Sequence, residues 1–284
     1  MFLSDRGEKQ KSKGSMIITA EIGSNHLGRY NLAIKHIEEA ARSGATAVKF
    51  QLFRAETYYG DPQRQKKVKP YEIPLEWISA LKDSARRCGM QFGVSVFAPD
   101  LVEPIRGFVD FVKIASLDIG YLDLIQAASK LGIPMIISTG AASLEEIHKA
   151  LSVMTHDRLT LLHCVCAYPV PFKMANLRTI STLQRSFSSD SIPIGYSDHT
   201  RGYEAAMLAT VLGCSLIEKH FRLPFEEVRR SPDFPHSAAP GEFSVMVEMI
   251  RETELALGVG QKDGPLPIEQ DLVWAKRSND KPLR

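Results

Sequence analysis

The stretch Pro193-Ile194-Gly195-Tyr196-Ser197-Asp198-His199-Thr200, followed by Leu216-Ile217-Glu218-Lys219-His220-Phe221, decides the fold. Each piece is a short β-branched or apolar run that stops abruptly in polar residues, and the interval from Gly202 to Gly213 reads as one amphipathic helix. Strand, helix, strand is the repeating unit of a parallel sheet, in which the carboxyl ends of consecutive strands lie side by side. His199 sits just past the first strand and His220 ends the second, so two imidazoles and the carboxylate of Glu218 are expected to meet at one edge. Glu218 and His220 are two apart and share a face of their strand.

The same alternation runs upstream from Met16. Strands are expected over 17–22, 46–52, 91–96, 109–115, 134–139, 159–166, 192–196 and 215–220. Helices are expected over 30–43, 75–88, 100–106, 122–131, 144–154, 177–187, the segment after Gly202, and 241–257, with a long polar loop from the second strand to Pro74. Eight strand-then-helix units in 284 residues are the signature of an α/β chain closed into a (β/α)8 TIM barrel, here over 16–258. Residues 1–15 carry scattered charges without an apolar core and read as a disordered leader; 259–284, with Pro265, Pro267 and Pro282, read as a linker-like tail.

Composition narrows the partners. A chain that is 44% hydrophobic and 24% charged can bury a large core, and its formal charge of +2 gives no reason to expect nucleic acid or a membrane surface. No run approaches the roughly 18 apolar residues of a membrane span. Cys164, Cys166 and Cys214 fall in predicted buried strands, with Cys88 on a helix, which suits reduced thiols in a cytoplasmic protein; Cys164 and Cys166 share a strand face, but no second such pair supports a metal site.

Strand faces separate packing from chemistry. Ile18, Ala20 and Ile22 oppose Thr19 and Glu21; Val48, Phe50 and Leu52 oppose Lys49 and Gln51; Val112 and Ile114 oppose Lys113. The apolar sides suit a helix shell, which points the polar sides into the barrel, and charges are almost never buried without partners. The strand ends then offer Glu21, Lys49, Gln51, Ser95, Lys113, Ser116, Ser138, Thr139, Cys166, Tyr168, Ser197, His199, Glu218 and His220. Two lysines with short hydroxyls could cradle a phosphorylated anion, although any single serine could equally cap a helix. His199 and His220 either form a hydrogen-bonded core pair or hold a divalent ion such as manganese, zinc or cobalt; their place beside Glu218 favours the ion. Of the other histidines only His26, in the turn after the first strand, has a comparable setting, from which it could orient Glu21.

The runs Ala20-Glu21-Ile22-Gly23-Ser24-Asn25-His26, Ala47-Val48-Lys49-Phe50-Gln51, Val112-Lys113-Ile114-Ala115-Ser116, Ser138-Thr139-Gly140, Ala167-Tyr168-Pro169, Tyr196-Ser197-Asp198-His199-Thr200 and Ile217-Glu218-Lys219-His220-Phe221 resemble the sialic acid synthase family, whose members make nonulosonic acids. The resemblance implies a condensation of phosphoenolpyruvate with a 2-acetamido aldose, or its phosphate, in which C3 of phosphoenolpyruvate attacks the aldehyde, water adds at C2 and phosphate leaves. It implies a divalent cofactor held by residues like His199 and His220, manganese first with magnesium or cobalt as substitutes. Lys49, Ser95, Lys113, Ser116, Ser138 and Ser197 match phosphoenolpyruvate contacts; Glu21, Gln51 and Glu218 match the reacting centre; Tyr168 and Glu218 match acceptor contacts. A homodimer is among the assemblies it suggests.

Several positions depart from the family pattern. Cys166 stands where Asn or Ser is expected, Phe234 stands where His follows the Asp, and Arg64, Lys66, Lys67 and Lys69 give the loop after the second strand a solvated basic character. The family's small antifreeze-like domain, which lends an arginine to the sugar, is expected to be missing after the linker-like tail. Arg229 and Arg230 are therefore expected either to replace that arginine in acceptor binding or to be a surface pair. The competing readings are a non-catalytic helper subunit of a full-length synthase and a shortened ordinary synthase.

Overall fold

The computed structural model describes residues 16–258, 260 and 262–277, so the expected leader over 1–15 lies outside the described residues. Eight parallel strands among them close into a barrel: β1 Ile17–Glu21, β2 Ala47–Leu52, β3 Gln91–Val96, β4 Phe111–Ile114, β5 Met135–Ser138, β6 Leu159–Cys164, β7 Ile194–Asp198 and β8 Leu216–His220. The closing seam pairs Ile17 with Leu216 and Glu21 with His220. The expected (β/α)8 TIM barrel is the fold observed, with α1 Tyr30–Arg42, α2 Ala55–Tyr58, α3 Pro62–Val68, α4 Trp77–Arg87, α5 Leu122–Ser129, α6 Leu144–Leu151, α7 Arg178–Ser186, α8 Glu204–Val211 and α9 Pro240–Leu257 around it.

Local chemistry explains the helix starts. Ser143 caps α6 in a reciprocal box: its hydroxyl accepts from the Glu146 N–H (3.2 Å) while Glu146 accepts from the Ser143 N–H (2.7 Å). The stretch expected as a long polar loop contains α2 and α3 instead, because Asp61 accepts from the Gln63 N–H at 3.0 Å and Pro62 supplies a preset first turn. The helix expected over 100–106 is two 3-10 turns, Pro99–Leu101 and Glu103–Ile105, each with proline in its first turn. The tail carries a 3-10 helix, Pro267–Ala275, on which Ile268 and Leu272 are exposed.

Strand alternation divides the apolar residues in two. Outward-facing Ile18, Val48, Val94, Val112, Ile137 and Ile217 join the helices in the main core. Ile17, Ala47, Phe111, Ile136, Leu162 and Leu216 form a separate cluster that plugs the amino end of the barrel interior. Gly93 makes room for it, since a Cβ there would lie 2.3 Å from the Phe111 ring. Two residues further along the same faces come Thr19, Lys49, Ser95, Lys113, Ser138, Cys164, Ser197 and Glu218, all buried. The pleat therefore delivers the polar residues to the carboxyl end, as their two-residue spacing requires.

Candidate active site

At that end Glu21, Lys49, Gln51, Ser95, Lys113, Ser116, Ser138, Tyr168, Ser197, His199, Glu218 and His220 line one cavity, together with Phe97, Ala115 and Cys164. Its floor is an alternating row of charges. Lys113 contacts Glu218 Oε1, which also accepts from the Ser197 hydroxyl at 3.0 Å; Glu218 Oε2 lies 3.7 Å from Lys49 Nζ. Lys49 in turn contacts Glu21 and donates to Ser95 Oγ at 2.7 Å, and the Gly23 N–H donates to Glu21 Oε1 at 2.7 Å. All four charged side chains are at most 6% exposed. Burial alone would raise the Glu218 carboxyl, but Lys113 and Lys49 outweigh it and hold the group at about 2. Burial brings the Lys49 ammonium down to about 7, against the pull of Glu218.

The hydroxyls expected around a phosphate are present and differ in readiness. Ser116 Oγ accepts from the Gly140 N–H at 3.0 Å, and its own proton lies beside the Cys164 and Cys166 thiols. Ser138 Oγ is buried with no hydrogen-bond partner, an arrangement that costs about 1–3 kcal/mol unless something is bound.

The two imidazoles meet as expected, with ring centroids 5.4 Å apart. β6 ends at Cys164 and not, as the sequence suggests, at residue 166, because the Val165 carbonyl leaves the ladder and accepts from His199 Nδ1 at 3.0 Å. That bond fixes the proton on Nδ1 and leaves Nε2 as the lone-pair nitrogen. Burial lowers His199 to about 4 and His220 well below the ordinary range, so both are neutral. His220 Nδ1 is buried and unpartnered. Two neutral, inward imidazoles beside a carboxylate, one of them with an unpartnered buried nitrogen, fit a divalent ion.

Other expectations need correction. His26 does not orient Glu21: its Nδ1 accepts from the Gly28 N–H (3.1 Å), its ring packs near Phe50, and the Gly23 N–H orients Glu21 instead. Cys214 and Cys166 lie outside the strands; Cys166 is half-buried, and its hydrogen bond with Cys164 outweighs burial and brings its thiol down to about 6. All four cysteines are free thiols. Arg229 and Arg230 do not line the cavity. The turn Glu226–Arg230 buries Val228, which rotates its charges outward, and Arg229 pairs with Glu226 at 2.9 Å with 65% of its side chain exposed. Phe234 lies under the Arg222 guanidinium, 4.3 Å from ring centroid to Cζ. Lys69 pairs with Glu56 at the surface.

His236 was set aside by sequence reasoning, yet its ring centroid lies 4.5 Å from that of His220 and 5.9 Å from that of His199. The available signal was Asp233 three residues earlier, a spacing that one turn brings together: Asp233 Oδ1 is 3.6 Å from His236 Nε2.

Residues 36–262 match the NeuB family. The N,N'-diacetyllegionaminic acid synthase of Campylobacter jejuni is 36% identical over 92% of this chain and 83% of its own length. The pseudaminic acid synthase of the same species is 31% identical over 92% and 80%. The crystal structure of an N-acetylneuraminic acid (sialic acid) synthetase from Leptospira borgpetersenii superposes with a TM-score of 0.88 at 32% identity, covering 98% of this chain and 97% of that one. With four-fifths of its length matched by the family model and the predicted barrel in place, the chain belongs to the NeuB family.

Proposed function

We propose that the chain joins phosphoenolpyruvate to an N-acylated aldose or its phosphate, giving a nonulosonic acid and inorganic phosphate. The observation that carries this reading is the buried row Glu21, Lys49, Glu218, Lys113 opening onto Ser116, Ser138 and two neutral imidazoles. A scaffold has no need of such charges, since replacing buried ion pairs with apolar residues is often neutral or stabilising. The names of the three relatives above, synthases of legionaminic, pseudaminic and sialic acid, suggest the product class.

The charges also argue for a cofactor. Two carboxylates are offset by at most two ammoniums, and the imidazoles are neutral, so an anion bearing both phosphate and carboxylate would enter without net compensation. A divalent ion, manganese in our reading, would be held by His199 and His220; when bound it supplies the missing charge and polarises the acceptor carbonyl. The protein residues do the rest. Lys113 and Lys49 turn from their carboxylate partners toward the incoming anion, and Ser116 and Ser138 donate to it. Glu21, held by the Gly23 N–H, is placed to serve as base for the water that adds at C2. Glu218, ionised at any physiological pH, accepts from acceptor hydroxyls, and Gln51 and Tyr168 border their path. The free thiols suit a reducing cytoplasm. Among the described residues no helix is long and apolar enough to cross a membrane.

The test is phosphate release from phosphoenolpyruvate with manganese and a panel of N-acylated aldoses and their phosphates. Release with one acceptor, abolished in Lys113→Ala and in His220→Ala, is expected. Release with none would overturn the reading in favour of a helper subunit.

A further inference from the structure

The loop after β8 brings to the mouth a third imidazole that the proposed reaction leaves unused. His236 closes the 3-10 turn Phe234–His236 and is 4% exposed, and neither of its ring nitrogens has a hydrogen-bond partner. His220 Nδ1 is in the same condition. One ligand atom from each of His220, Asp233 and His236 lies within 4.8 Å of the others, close enough for a single ion to reach all three.

The surroundings are built to hold this arrangement. Asp233 Oδ2 accepts from the Ser24 N–H (2.6 Å) and the Ser24 hydroxyl (2.7 Å), which directs Oδ1 toward His236. Ser237 donates its hydroxyl to the Asp233 carbonyl at 2.6 Å, bracing the turn from the other side. Gly23, at φ +52°, leaves the necessary space: a Cβ there would lie 2.2 Å from Asp233 Oδ2 and 3.2 Å from His220 Cε1. A structural explanation would need the two imidazoles to satisfy each other or the backbone, and they do neither.

We propose that His236, Asp233 and His220 form a divalent-metal site, with His236 a ligand contributed by the loop after β8. This rests on the metal-assisted reading above and makes it specific, because the ion would then be anchored on β8 and its following loop as well as on His199. With His199, three imidazoles and a carboxylate suit manganese or cobalt, and four protein donors to a six-coordinate ion leave positions open for substrate oxygen.

Manganese binding to the full chain, read from the free-ion electron paramagnetic resonance signal, and cobalt binding, read from its visible absorption, test the site without turnover. One ion per chain is expected, bound about 10- to 100-fold more weakly by His236→Ala and by Asp233→Asn, with an altered cobalt band in each. A footprint on the unsubstituted protein covers the case in which a variant misfolds: manganese should protect His236 from carbethoxylation by diethyl pyrocarbonate. Unchanged affinity in His236→Ala with binding lost in His220→Ala, or His236 modified at the same rate with and without manganese, would overturn the third ligand while leaving the reaction standing. Absence of manganese and cobalt binding by the parent chain would overturn both.

Discussion

The two ends of the barrel interior are built from the same strands and the same pleat face, yet they have opposite character. At the amino end Ile17, Ala47, Phe111, Ile136, Leu162 and Leu216 pack as an apolar plug. Two residues along, Ala47 gives way to Lys49, Phe111 to Lys113, Ile136 to Ser138 and Leu216 to Glu218. Lys49, Lys113, Ser138 and Glu218 are buried as the plug residues before them are, so burial does not distinguish the two sets; what differs is whether each side chain finishes its interactions within the protein. The plug is self-sufficient, whereas Ser138, Glu218 Oε2 and His220 Nδ1 are left wanting partners. The first end stabilises, and the second holds chemistry at a cost in stability.

The strongest attempt to break this contrast makes the carboxyl end resemble the amino end. In the double variant Lys113→Met with Glu218→Leu, phosphate release should fall by roughly 10³-fold or more, while the urea-unfolding free energy stays level or rises by about 1–4 kcal/mol. A marked loss of stability would show that the charged row also holds the barrel together. The converse substitution is Phe111→Ala in the plug. It should cost about 3–5 kcal/mol in urea unfolding yet leave phosphate release by the folded fraction within about tenfold of the parent. An activity loss as deep as that of the double variant would merge the two ends.

A smaller effect sharpens the comparison from a third place, the helix shell. His36 Nδ1 pairs with the Leu32 carbonyl (2.7 Å) and Nε2 accepts from the Leu223 N–H (3.3 Å), so only the neutral ring satisfies both neighbours. Burial lowers it to about 4 from 6.5. The unfolded chain therefore takes up a proton first as pH falls below 6.5, and stability is lost at about 1.4 kcal/mol per pH unit until about pH 4, then levels. Urea titrations between pH 7 and 5 should show His36→Gln with a shallower dependence than the parent by that amount. Identical slopes would mean that burial does not keep this ring neutral, and would weaken the same inference for His199.

The barrel was legible because the alternation of apolar runs and amphipathic segments is a local property, and strand parity carried Glu21, Lys49, Lys113 and Glu218 to the right face. What escaped lies where the chain leaves regular structure. α3 was hidden by its charges, although Asp61-Pro62 is a start signal. His236 was hidden because its value depends on how a sixteen-residue excursion from His220 folds back, which no period records. Arg229 and Arg230 stayed open between acceptor and surface for the complementary reason: their charge is visible in sequence, but the burial of Val228 that turns them outward is not.

The seam between β1 and β8 has a consequence for how the protein comes into being. Glu21 and His220 stand opposite one another in that ladder, and the Phe221 N–H donates to the Glu21 carbonyl at 2.7 Å. A ribosome therefore emits the first of these partners about two hundred residues ahead of the second, and Lys49 and Lys113 emerge long before Glu218 can pair with them. The ring cannot shut until β8 has been made, so a chain that stops short of it would be inert as well as unfinished.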